Sequence, residues 1–517
     1  MDKNTFPDSL ENLHIHLVGA KGTGMAALAE ILSARGAILS GSDVPEHFYT
    51  DDILAALKVS LYEGFDPAHL PEHTDLVIHS AAYGRERNPE LQEAVRRNLP
   101  VFTYPEALGA LSRLHPSAGI AGVHGKTTTT AMTGSILRAL DMPATVLAGS
   151  AVSSFGGTCT MIAGNQYFVA ETCEYRKHFL NFSPRWIVLT SVESDHQDYF
   201  PTYESIRDAF VEYAATLPRD GALVYCADDH GAVEVADRLR QLHTRIQFLD
   251  YGFSATSAWK VQRVESRPGA QIFQLAGSEQ EFSLHVPGRH LVLDATAALA
   301  LAELVFRDWK GRGFGPYEWE RAAQALATFG GSRRRSEVIA EKNGILILDD
   351  YGHHPTAIAA TIEGIKAFWP GRRLIVDFMS HTYSRTISLQ DQFAAAFRQA
   401  DAVIMHRIYP SARETPMPGF DGRTLHRLTS GNRKDLFVVD LDMDENDRIL
   451  SALDLWKRHV QGFSAYSDAP ESSVPFLLEA LQEGDILLTM GAGDNWKVGA
   501  AIAKKLSEGQ SMQSKME

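Results

Sequence analysis

The sequence is poor in the features that mark secreted or membrane-inserted proteins. Its 517 residues contain three cysteines, Cys159, Cys173 and Cys226, and none of them forms a CxxC pair. An odd cysteine count gives no disulfide framework, so a reducing compartment is the simplest setting. Apolar runs fall short of the roughly 20 residues that a membrane-spanning helix needs. The N-terminal stretch MDKNTFPDSLENLH is too acidic and polar for a secretory signal. We therefore expect a cytoplasmic protein without a membrane span.

Positive charge is also in short supply. The chain has 49 lysines and arginines against 64 aspartates and glutamates, which gives a net charge of −15. This balance argues against non-specific binding to nucleic acid or to anionic membranes. It does not exclude a small anionic ligand, because a nucleotide needs only a local positive pocket. A content of 44% hydrophobic and 22% charged residues is typical of a globular protein.

The chain alternates apolar strands with amphipathic helices along its whole length. This pattern predicts an α/β fold in which helices cover parallel sheets. Three blocks each begin with a strand of their own, at IHLV, at GIAG and at GILILDD. In open sheets of this kind, ligands bind beyond the carboxyl ends of the strands.

The stretch GIAGVHGKTTTTAMTG, from Gly119 to Gly134, reads as the end of a buried strand, a tight loop and the start of a helix. Such a loop directs backbone N–H groups at one point, and the helix N-terminus adds partial positive charge there. Lys126 adds a full charge and Thr127 a hydroxyl that can ligate a metal, so the loop predicts a phosphate site with Mg²⁺. Ile120 stands where the usual pattern has glycine. The alternative is an ordinary strand-to-helix turn with a surface lysine.

Polar residues end two further strands of the same block. YFVAETCE delivers Glu171 and Glu174, and WIVLTSVESDH delivers Asp195 and His196. Carboxylates that follow a phosphate loop are natural Mg²⁺ ligands, and Glu171 is the best candidate. His196 is a candidate for a second metal contact or a substrate contact. The alternative for the acids is a solvated strand end, and for His196 a surface ion pair.

The first block contains a glycine-rich turn of the dinucleotide-binding type. Gly19, Gly22 and Gly24 separate a strand from a helix, and Asp43 ends the next strand. The spacing is G-x-x-G-x-G rather than G-x-G-x-x-G, so a nicotinamide cofactor is not favoured. A tight turn that binds no ligand is the alternative.

The third block carries polar residues after its strands. Asp349, Asp350, His353 and His354 follow GILIL, but no further histidine lies at short ligand spacing, so zinc is not favoured there. Arg334 and Arg335 lie at a predicted domain boundary, where their planar guanidinium groups suit a phosphate or a ring.

These segments together resemble the Mur ligase family. The resemblance runs from about residue 14 to about residue 500 and includes VGAKGTGMAALAEILSARGAILSGSD, AGVHGKTTTT, SVESDHQDYF, FGGSRRRSE, DDYGHHPT, HTYSRT and MGAGD. It implies a Rossmann-like UDP-sugar-binding domain at 1–114, a central P-loop ATP-binding domain with a mostly parallel sheet at 115–331, and a Rossmann-like amino-acid-binding domain at 332–517.

DDYGHHPT with GAKGTGM is similar to the family members that act on UDP-N-acetylmuramate itself. The resemblance implies that L-alanine is joined to the lactyl carboxylate of this sugar while ATP is converted to ADP and phosphate through an acyl phosphate. The implied cofactors are ATP and Mg²⁺, and the implied role is peptidoglycan precursor synthesis. Three alternatives are a recycling ligase that attaches a murein peptide, an inactive UDP-sugar-binding regulator and a nucleotide-linked dehydrogenase. Small molecules are the expected partners, and an oligomer is possible.

The resemblance also implies a set of site residues, position by position. For the UDP-sugar these are Gly19, Gly22, Thr23, Gly24, Ser42 and Asp43. For ATP they are Gly122, His124, Gly125, Lys126, Thr127, Thr128, Arg335 and Asp350. For the amino acid they are Tyr351, His354, His381 and Arg385. The implied catalytic residues are Lys126, Glu171, His196 and His381, and the implied metal ligands are Thr127, Glu171 and His196.

The chain departs from the family pattern at several of these regions. Cys173 stands where an aspartate is frequent, and Leu291 and Asp294 replace two asparagines of the GxHNxxN pattern on the adenine side. Thr382 stands where many relatives have arginine. Base recognition is therefore expected to be altered, and Arg385 is the clearer partner for the amino-acid carboxylate.

Overall fold

The protein is described by a computed structural model, which covers residues 6–242, 245–410, 414, 417 and 419–513. Helices flank three large, mostly parallel sheets, and a small antiparallel sheet accompanies the second of them. The predicted α/β class is confirmed. Among the described residues, no helix is both long and apolar enough to cross a lipid bilayer.

The first sheet has five strands in the order β3-β2-β1-β4-β5, and all its pairings are parallel. Val18, at the end of the central strand, pairs with Ser42 and His79, so three strand ends meet beside the glycine turn. The elements are β1 (His14–Val18), α1 (Thr23–Ala34), β2 (Ile38–Asp43), α2 (Thr50–Ala56), β3 (Ser60–Glu63), β4 (Leu76–His79), α3 (Pro89–Arg96), β5 (Val101–Thr103) and α4 (Tyr104–Arg113).

The second large sheet has seven strands in the order β12-β11-β10-β6-β9-β7-β8, and only the pairing of β7 with β8 is antiparallel. The strand that leads into the phosphate loop, β6, is central, between the strands that end near Glu171 and Asp195. The elements are β6 (Ser117–Ala121), α5 (Lys126–Ala139), β7 (Ala144–Val152), β8 (Thr158–Ile162), β9 (Tyr167–Glu171), β10 (Trp186–Leu189), α6 (Tyr203–Ala214), β11 (Ala222–Cys226), α7 (His230–Leu242) and β12 (Gln247–Tyr251).

A small antiparallel sheet and two helices complete this part of the chain. Helix α8 is apolar on most of its circumference and is buried over nearly its whole length, as expected for a core helix. The elements are β13 (Val261–Arg267), β14 (Ala270–Leu275), β15 (Glu281–Leu284), α8 (His290–Lys310) and α9 (Pro316–Ala327).

The third large sheet has seven strands in the order β16-β17-β22-β18-β19-β21-β20, and β16 is its antiparallel edge strand. The elements are β16 (Glu337–Lys342), β17 (Ile345–Asp350), α10 (Pro355–Phe368), β18 (Leu374–Met379), α11 (Tyr383–Ser388), α12 (Gln390–Ala396), β19 (Ala402–Met405), α13 (Gly422–Gly431), β20 (Leu436–Asp440), α14 (Asn446–Lys457), β21 (Gly462–Tyr466), α15 (Val474–Ala480), β22 (Ile486–Gly491) and α16 (Trp496–Gln513). The predicted boundaries after residues 114 and 331 fall between the large sheets and stay predictions.

Candidate functional site

The phosphate loop is held tightly at the end of β6. Gly122 and Gly125 have φ values of 140° and 78°, a region that favours glycine. A Cβ atom on Gly122 would also collide with the Thr190 hydroxyl, which donates hydrogen bonds to the carbonyls of Ala121 and His124. Helix α5 begins at Lys126 directly after the loop, so its free N–H groups face the space above the sheet.

Lys126 is a buried cation at the centre of this region. Its Nζ donates to Glu174 Oε2 at 2.9 Å and to the Gly122 carbonyl. Glu174 Oε1 lies 3.1 Å from His196 Nε2, so one carboxylate connects the lysine to the histidine. Burial alone would raise the pKa of Glu174, but Lys126 and His196 lower it to about 2. Burial would lower the pKa of Lys126, and the facing carboxylate outweighs this and raises it, so both groups are charged.

Glu171 and Thr127 form a set of hard oxygen donors. The Thr127 hydroxyl donates to Glu171 Oε2 at 2.7 Å, and Arg335 Nη2 lies 3.4 Å from the same hydroxyl. A Cβ on Gly149 would overlap the Glu171 carboxylate, so the glycine of β7 leaves the room that this side chain occupies. Mg²⁺ prefers such oxygens, and this donor set fits the predicted metal.

A cavity of about 390 Å³ connects the second and third large sheets. Its lining combines most of the predicted ATP and amino-acid residues: His124, Gly125, Lys126, Thr127, Thr128, Glu171, His196, Arg335, Asp350, Tyr351, His354, His381 and Arg385. Residues that lie more than 200 positions apart in the chain thus face one space.

The predicted UDP-sugar residues lie apart from this cavity, at the end of the first sheet. Gly19 has φ 80°, and a Cβ there would lie 2.5 Å from the Tyr83 ring. The Asp43 carboxylate accepts from the Lys21 N–H at 2.7 Å and from the Tyr83 hydroxyl at 3.2 Å. Ser42 is fully buried, and its hydroxyl donates to Glu90. Ser42 and Asp43 therefore shape the turn from inside, and their contact with a ligand stays a prediction.

Gly22 offers a clean test of this turn. A Cβ there would have the Gly19 carbonyl at 3.7 Å as its nearest neighbour, so a side chain fits the folded protein and enters the space above the turn. We expect Gly22→Val to abolish UDP-N-acetylmuramate binding and to leave ATP binding intact, because only a bare backbone approaches a diphosphate closely. Calorimetry with each ligand measures both. Tight NAD binding by the unchanged protein, or full UDP-sugar affinity in the variant, contradicts the assignment.

Asp350, at the end of a strand of the third sheet, is held by hydrogen bonds within the protein. Asp350 accepts from the Ser336 N–H and the Gly352 N–H, both at 2.7 Å, and burial raises its pKa. Arg335 lies over the Tyr351 ring, with 5.4 Å between the guanidinium carbon and the ring centre. The Asp350 carboxylate thus orders the strand end that presents Tyr351, and its predicted ATP contact stays a prediction.

Arg385 makes an ion pair that the sequence did not predict. Its Nε and Nη2 both lie 2.8 Å from Asp195 Oδ1, and both residues are buried. Its Nη1 lies 3.2 Å from His381 Nδ1. Burial would raise the pKa of Asp195, but Arg385 and the neighbouring histidines hold it well below its usual range. Arg385 is predicted to bind the amino-acid carboxylate, and Asp195 already occupies the Nε/Nη2 edge of its guanidinium.

Asp294, one of the family departures, lies against the phosphate loop. Its carboxyl accepts from the Thr129 hydroxyl at 3.2 Å, and a Cβ on Gly125 would lie 2.5 Å from its Oδ1. Burial raises its pKa to about 7, despite opposing effects from Thr129 and Arg335. The side chain is thus protonated over much of the acidic range, and in that neutral form it resembles the asparagine of the GxHNxxN pattern.

Asp294→Asn is expected to remove a pH dependence of stability. In the unfolded chain Asp294 titrates near 3.8, so the folded state holds a proton that the unfolded state loses as pH rises from 4 to 7. Stability at this site is therefore lost with rising pH, and asparagine does not ionise. Relative to the unchanged protein, the variant should gain on the order of 2 kcal/mol between pH 5 and pH 8. Thermal midpoints of both proteins across this range test it, and parallel curves contradict it.

The sequence does not predict the roles of several site residues. Glu174 is a candidate metal ligand by its position, but in the structure it contacts Lys126 and His196. The sequence marks Asp195 only as a polar residue after a strand, and it gives no indication that Gly149 makes room for Glu171. The sequence carries no signal for the Asp195–Arg385 pair, because it depends on how the residues after β10 meet the third sheet.

Three family models match the chain in order. The Mur ligase family, catalytic domain model matches residues 14–116, the Mur ligase middle domain model residues 120–302, and the Mur ligase, glutamate ligase domain model residues 334–493. A UDP-N-acetylmuramate–L-alanine ligase from Treponema pallidum is 45% identical over 511 residues, which cover 98% of this chain and 100% of that protein.

Solved structures share the fold. The UDP-N-acetylmuramate-alanine ligase MurC from Thermotoga maritima is 22% identical and superposes with a TM-score of 0.71 over 96% of this chain and 100% of its own. A murein peptide ligase from Psychrobacter arcticus, 21% identical, gives 0.63 over 96% and 99%. Sequence and architecture agree along the full length, and the chain belongs to the Mur ligase family.

Proposed function

We propose that the chain joins L-alanine to the lactyl carboxylate of UDP-N-acetylmuramate in an ATP-dependent reaction. The observation that carries this proposal is the shared cavity, in which the phosphate loop and Glu171 face Arg385 and His381. The full-length similarity to proteins named for this activity supports the choice of acid and amino acid.

The nucleotide end of the cavity provides charge where phosphates would bind. The N–H groups at the start of α5 and the Lys126 ammonium stabilise negative charge on a transferring phosphoryl group. Glu174 holds the ammonium in place through the 2.9 Å ion pair. In this scheme an oxygen of the sugar carboxylate attacks the γ-phosphorus of ATP, and the bond between this phosphorus and the β–γ bridging oxygen breaks. ADP departs with the bridging oxygen, and the sugar carboxylate becomes an acyl phosphate.

Thr127, Glu171 and His196 would hold Mg²⁺ beside the phosphates. The hydroxyl and carboxylate oxygens suit this ion, and His196, whose Nε2 lies 3.1 Å from Glu174 Oε1, would add one nitrogen to them. A bound Mg²⁺ supplies neutralisation of phosphate charge during transfer. Arg335, which reaches the Thr127 hydroxyl from the third sheet, adds a second positive group to this end.

At the other end of the cavity, the third sheet would position L-alanine. The amine attacks the acyl carbon, phosphate leaves, and the amine loses a proton. Arg385 and His381 provide positive charge and hydrogen-bond donors for the amino-acid carboxylate, and Tyr351 closes the side-chain space.

Glu171→Gln tests the metal assignment. The amide keeps the shape of the side chain and removes its charge, so the variant should need much more Mg²⁺ for half-maximal activity. UDP-N-acetylmuramate affinity, measured without ATP, should stay unchanged, because the first sheet lies outside this cavity. Glu212→Gln, a change at an exposed ion pair with Lys177, is the matched control. An unchanged Mg²⁺ titration in the Glu171 variant contradicts the assignment.

One assay tests the proposed function as a whole. Phosphate release is measured with ATP and UDP-N-acetylmuramate, with and without L-alanine, and the product is identified by mass. We expect release that depends on L-alanine and a product heavier by one alanyl residue. Preference for an L-alanyl-γ-D-glutamyl peptide indicates the recycling ligase instead, and UDP-sugar binding without phosphate release indicates an inactive regulator.

A further inference from the structure

Three metal-ligating side chains meet between the second and third large sheets, outside the Thr127–Glu171 pair. His124 belongs to the phosphate loop, Glu193 follows β10, and His354 caps helix α10. One ligand atom from each lies within 4.8 Å of the others. We call these residues the His124–Glu193–His354 cluster.

The distances within this cluster suit one small cation. Glu193 Oε2 lies 3.8 Å from His124 Nε2 and 3.8 Å from His354 Nδ1. Both distances are too long for hydrogen bonds. Two ligands of a tetrahedral zinc ion lie about 3.4 Å apart when each bond is near 2.1 Å. Side-chain rotations that move each ligand atom by less than about an ångström therefore reach that geometry.

Each imidazole has a nitrogen at the centre of the cluster. His354 Nε2 lies 3.4 Å from the Ser194 carbonyl, and a proton there leaves Nδ1 as an acceptor. Nδ1 lies 3.8 Å from Glu193 Oε2 and accepts a long hydrogen bond of 3.4 Å from the Thr356 N–H, which a bound cation would replace. Burial also lowers the pKa of His354 to about 4, so the ring is neutral at physiological pH. His124 Nε2 is a buried nitrogen without a hydrogen-bond partner among the described residues. Its hydrogen-bonding capacity is unused among these residues, so this nitrogen can serve as a metal ligand.

Glu193 lies half-buried between the two rings and is the acidic group of the cluster. The Thr356 hydroxyl donates to Glu193 Oε2 at 2.9 Å and fixes the carboxylate orientation. Ligating residues with their own hydrogen-bond partners are typical of built metal sites.

We propose that the His124–Glu193–His354 cluster binds one zinc-class dication, which joins the phosphate loop to the third sheet. Two nitrogens and one carboxylate oxygen suit Zn²⁺ or Co²⁺ and are a poor set for Mg²⁺, which takes oxygen ligands. A fourth position is left for water. The proposal goes beyond the ligase reaction and does not depend on it, because it concerns a second metal in a different donor set.

Cobalt reports this site directly. The full-length protein, freed of metal by chelation and kept in Mg²⁺-free buffer, is titrated with Co²⁺ and then with Zn²⁺. We expect one equivalent of Co²⁺ to give the visible absorption of a tetrahedral ion, and Zn²⁺ to displace it and raise the thermal midpoint. Absence of the absorption in folded protein overturns the proposal.

Variants separate this cluster from the predicted Mg²⁺ site. His124→Asn, Glu193→Gln and His354→Asn should each lose the cobalt absorption, whereas His196→Asn and the exposed His285→Asn should keep it. Three substitutions guard against misfolding of any one, and circular dichroism identifies the folded ones. Retention of the absorption in folded cluster variants, or its loss with His196→Asn, overturns the proposal. The ligase assay is scored separately, so a failed metal site leaves the proposed function standing.

Discussion

Lys126→Ala is expected to reduce turnover by on the order of a hundredfold or more at saturating ATP. The loss of one donor to a developing charge in a buried site has this scale. The lysine side chain is only 13% exposed and is charged, so water does not take its place without rearrangement. The effect should appear in kcat more than in the KM for ATP, because the contact strengthens as charge develops in the transition state.

The ion pair with Glu174 demands a control for this substitution. Removal of Lys126 leaves a buried carboxylate with His196 as its remaining side-chain partner at this site, which destabilises the fold independently of catalysis. The double variant Lys126→Ala/Glu174→Gln removes that burden and should restore the thermal midpoint without restoring turnover. Lys177→Ala, at an exposed ion pair, should leave both unchanged. Near-normal turnover in folded Lys126→Ala would falsify the role.

The phosphate loop could be predicted from the sequence because its chemistry is local. Strand, glycine turn, Lys126 and helix start are neighbours in the chain, and the carboxyl end of a parallel strand fixes where they point. The same logic placed Glu171 at the end of a strand of the same sheet. The structure puts the two strands side by side and gives the 2.7 Å bond between Thr127 and Glu171.

Contacts between the large sheets could not be predicted in this way. Asp195 and Arg385 are 190 positions apart, and their ion pair depends on how two separate sheets meet. Ser42 shows a similar limit within one sheet. Its strand position was apparent, but the buried Glu90 that accepts its hydroxyl comes from α3, and strand periodicity says nothing about that partner.

The structure gives a physical explanation for two departures from the family pattern. The family pattern predicts that Asp294 costs an adenine contact. Burial raises the pKa of its carboxyl to about 7, so the group stays protonated in acidic solution, and it accepts a hydrogen bond from the Thr129 hydroxyl. Thr382, in place of arginine, has φ 67° and precedes α11, so it ends the loop that carries His381. Backbone conformation and burial determine what these side chains do, and a sequence motif shows neither.

Arg385→Lys is expected to raise the KM for L-alanine roughly ten- to hundredfold, the range for one lost hydrogen bond to a charged group. The guanidinium serves two partners at once: its Nε and Nη2 bind Asp195, and its Nη1 faces His381 and the cavity. A lysine ammonium is a point charge, so it does not hold Asp195 and a substrate carboxylate together. The KM values for ATP and UDP-N-acetylmuramate should hardly move. Asp195→Asn should give a smaller rise, because it loosens the arginine without removing it.

The same experiment defines the amino-acid pocket. If Tyr351 closes the side-chain space as proposed, serine and glycine should be weaker substrates of the unchanged protein, since a pocket that selects by one small group discriminates only about ten- to two-hundredfold. Aspartate and glutamate should be worse, because a second carboxylate would be desolvated there. Arg398→Lys, at an exposed position on the same part of the chain, is the matched control and should leave all constants unchanged. A flat KM for L-alanine in Arg385→Lys, or a preference of the unchanged protein for a long peptide, means that this guanidinium serves the fold through Asp195 and that the substrate carboxylate binds elsewhere.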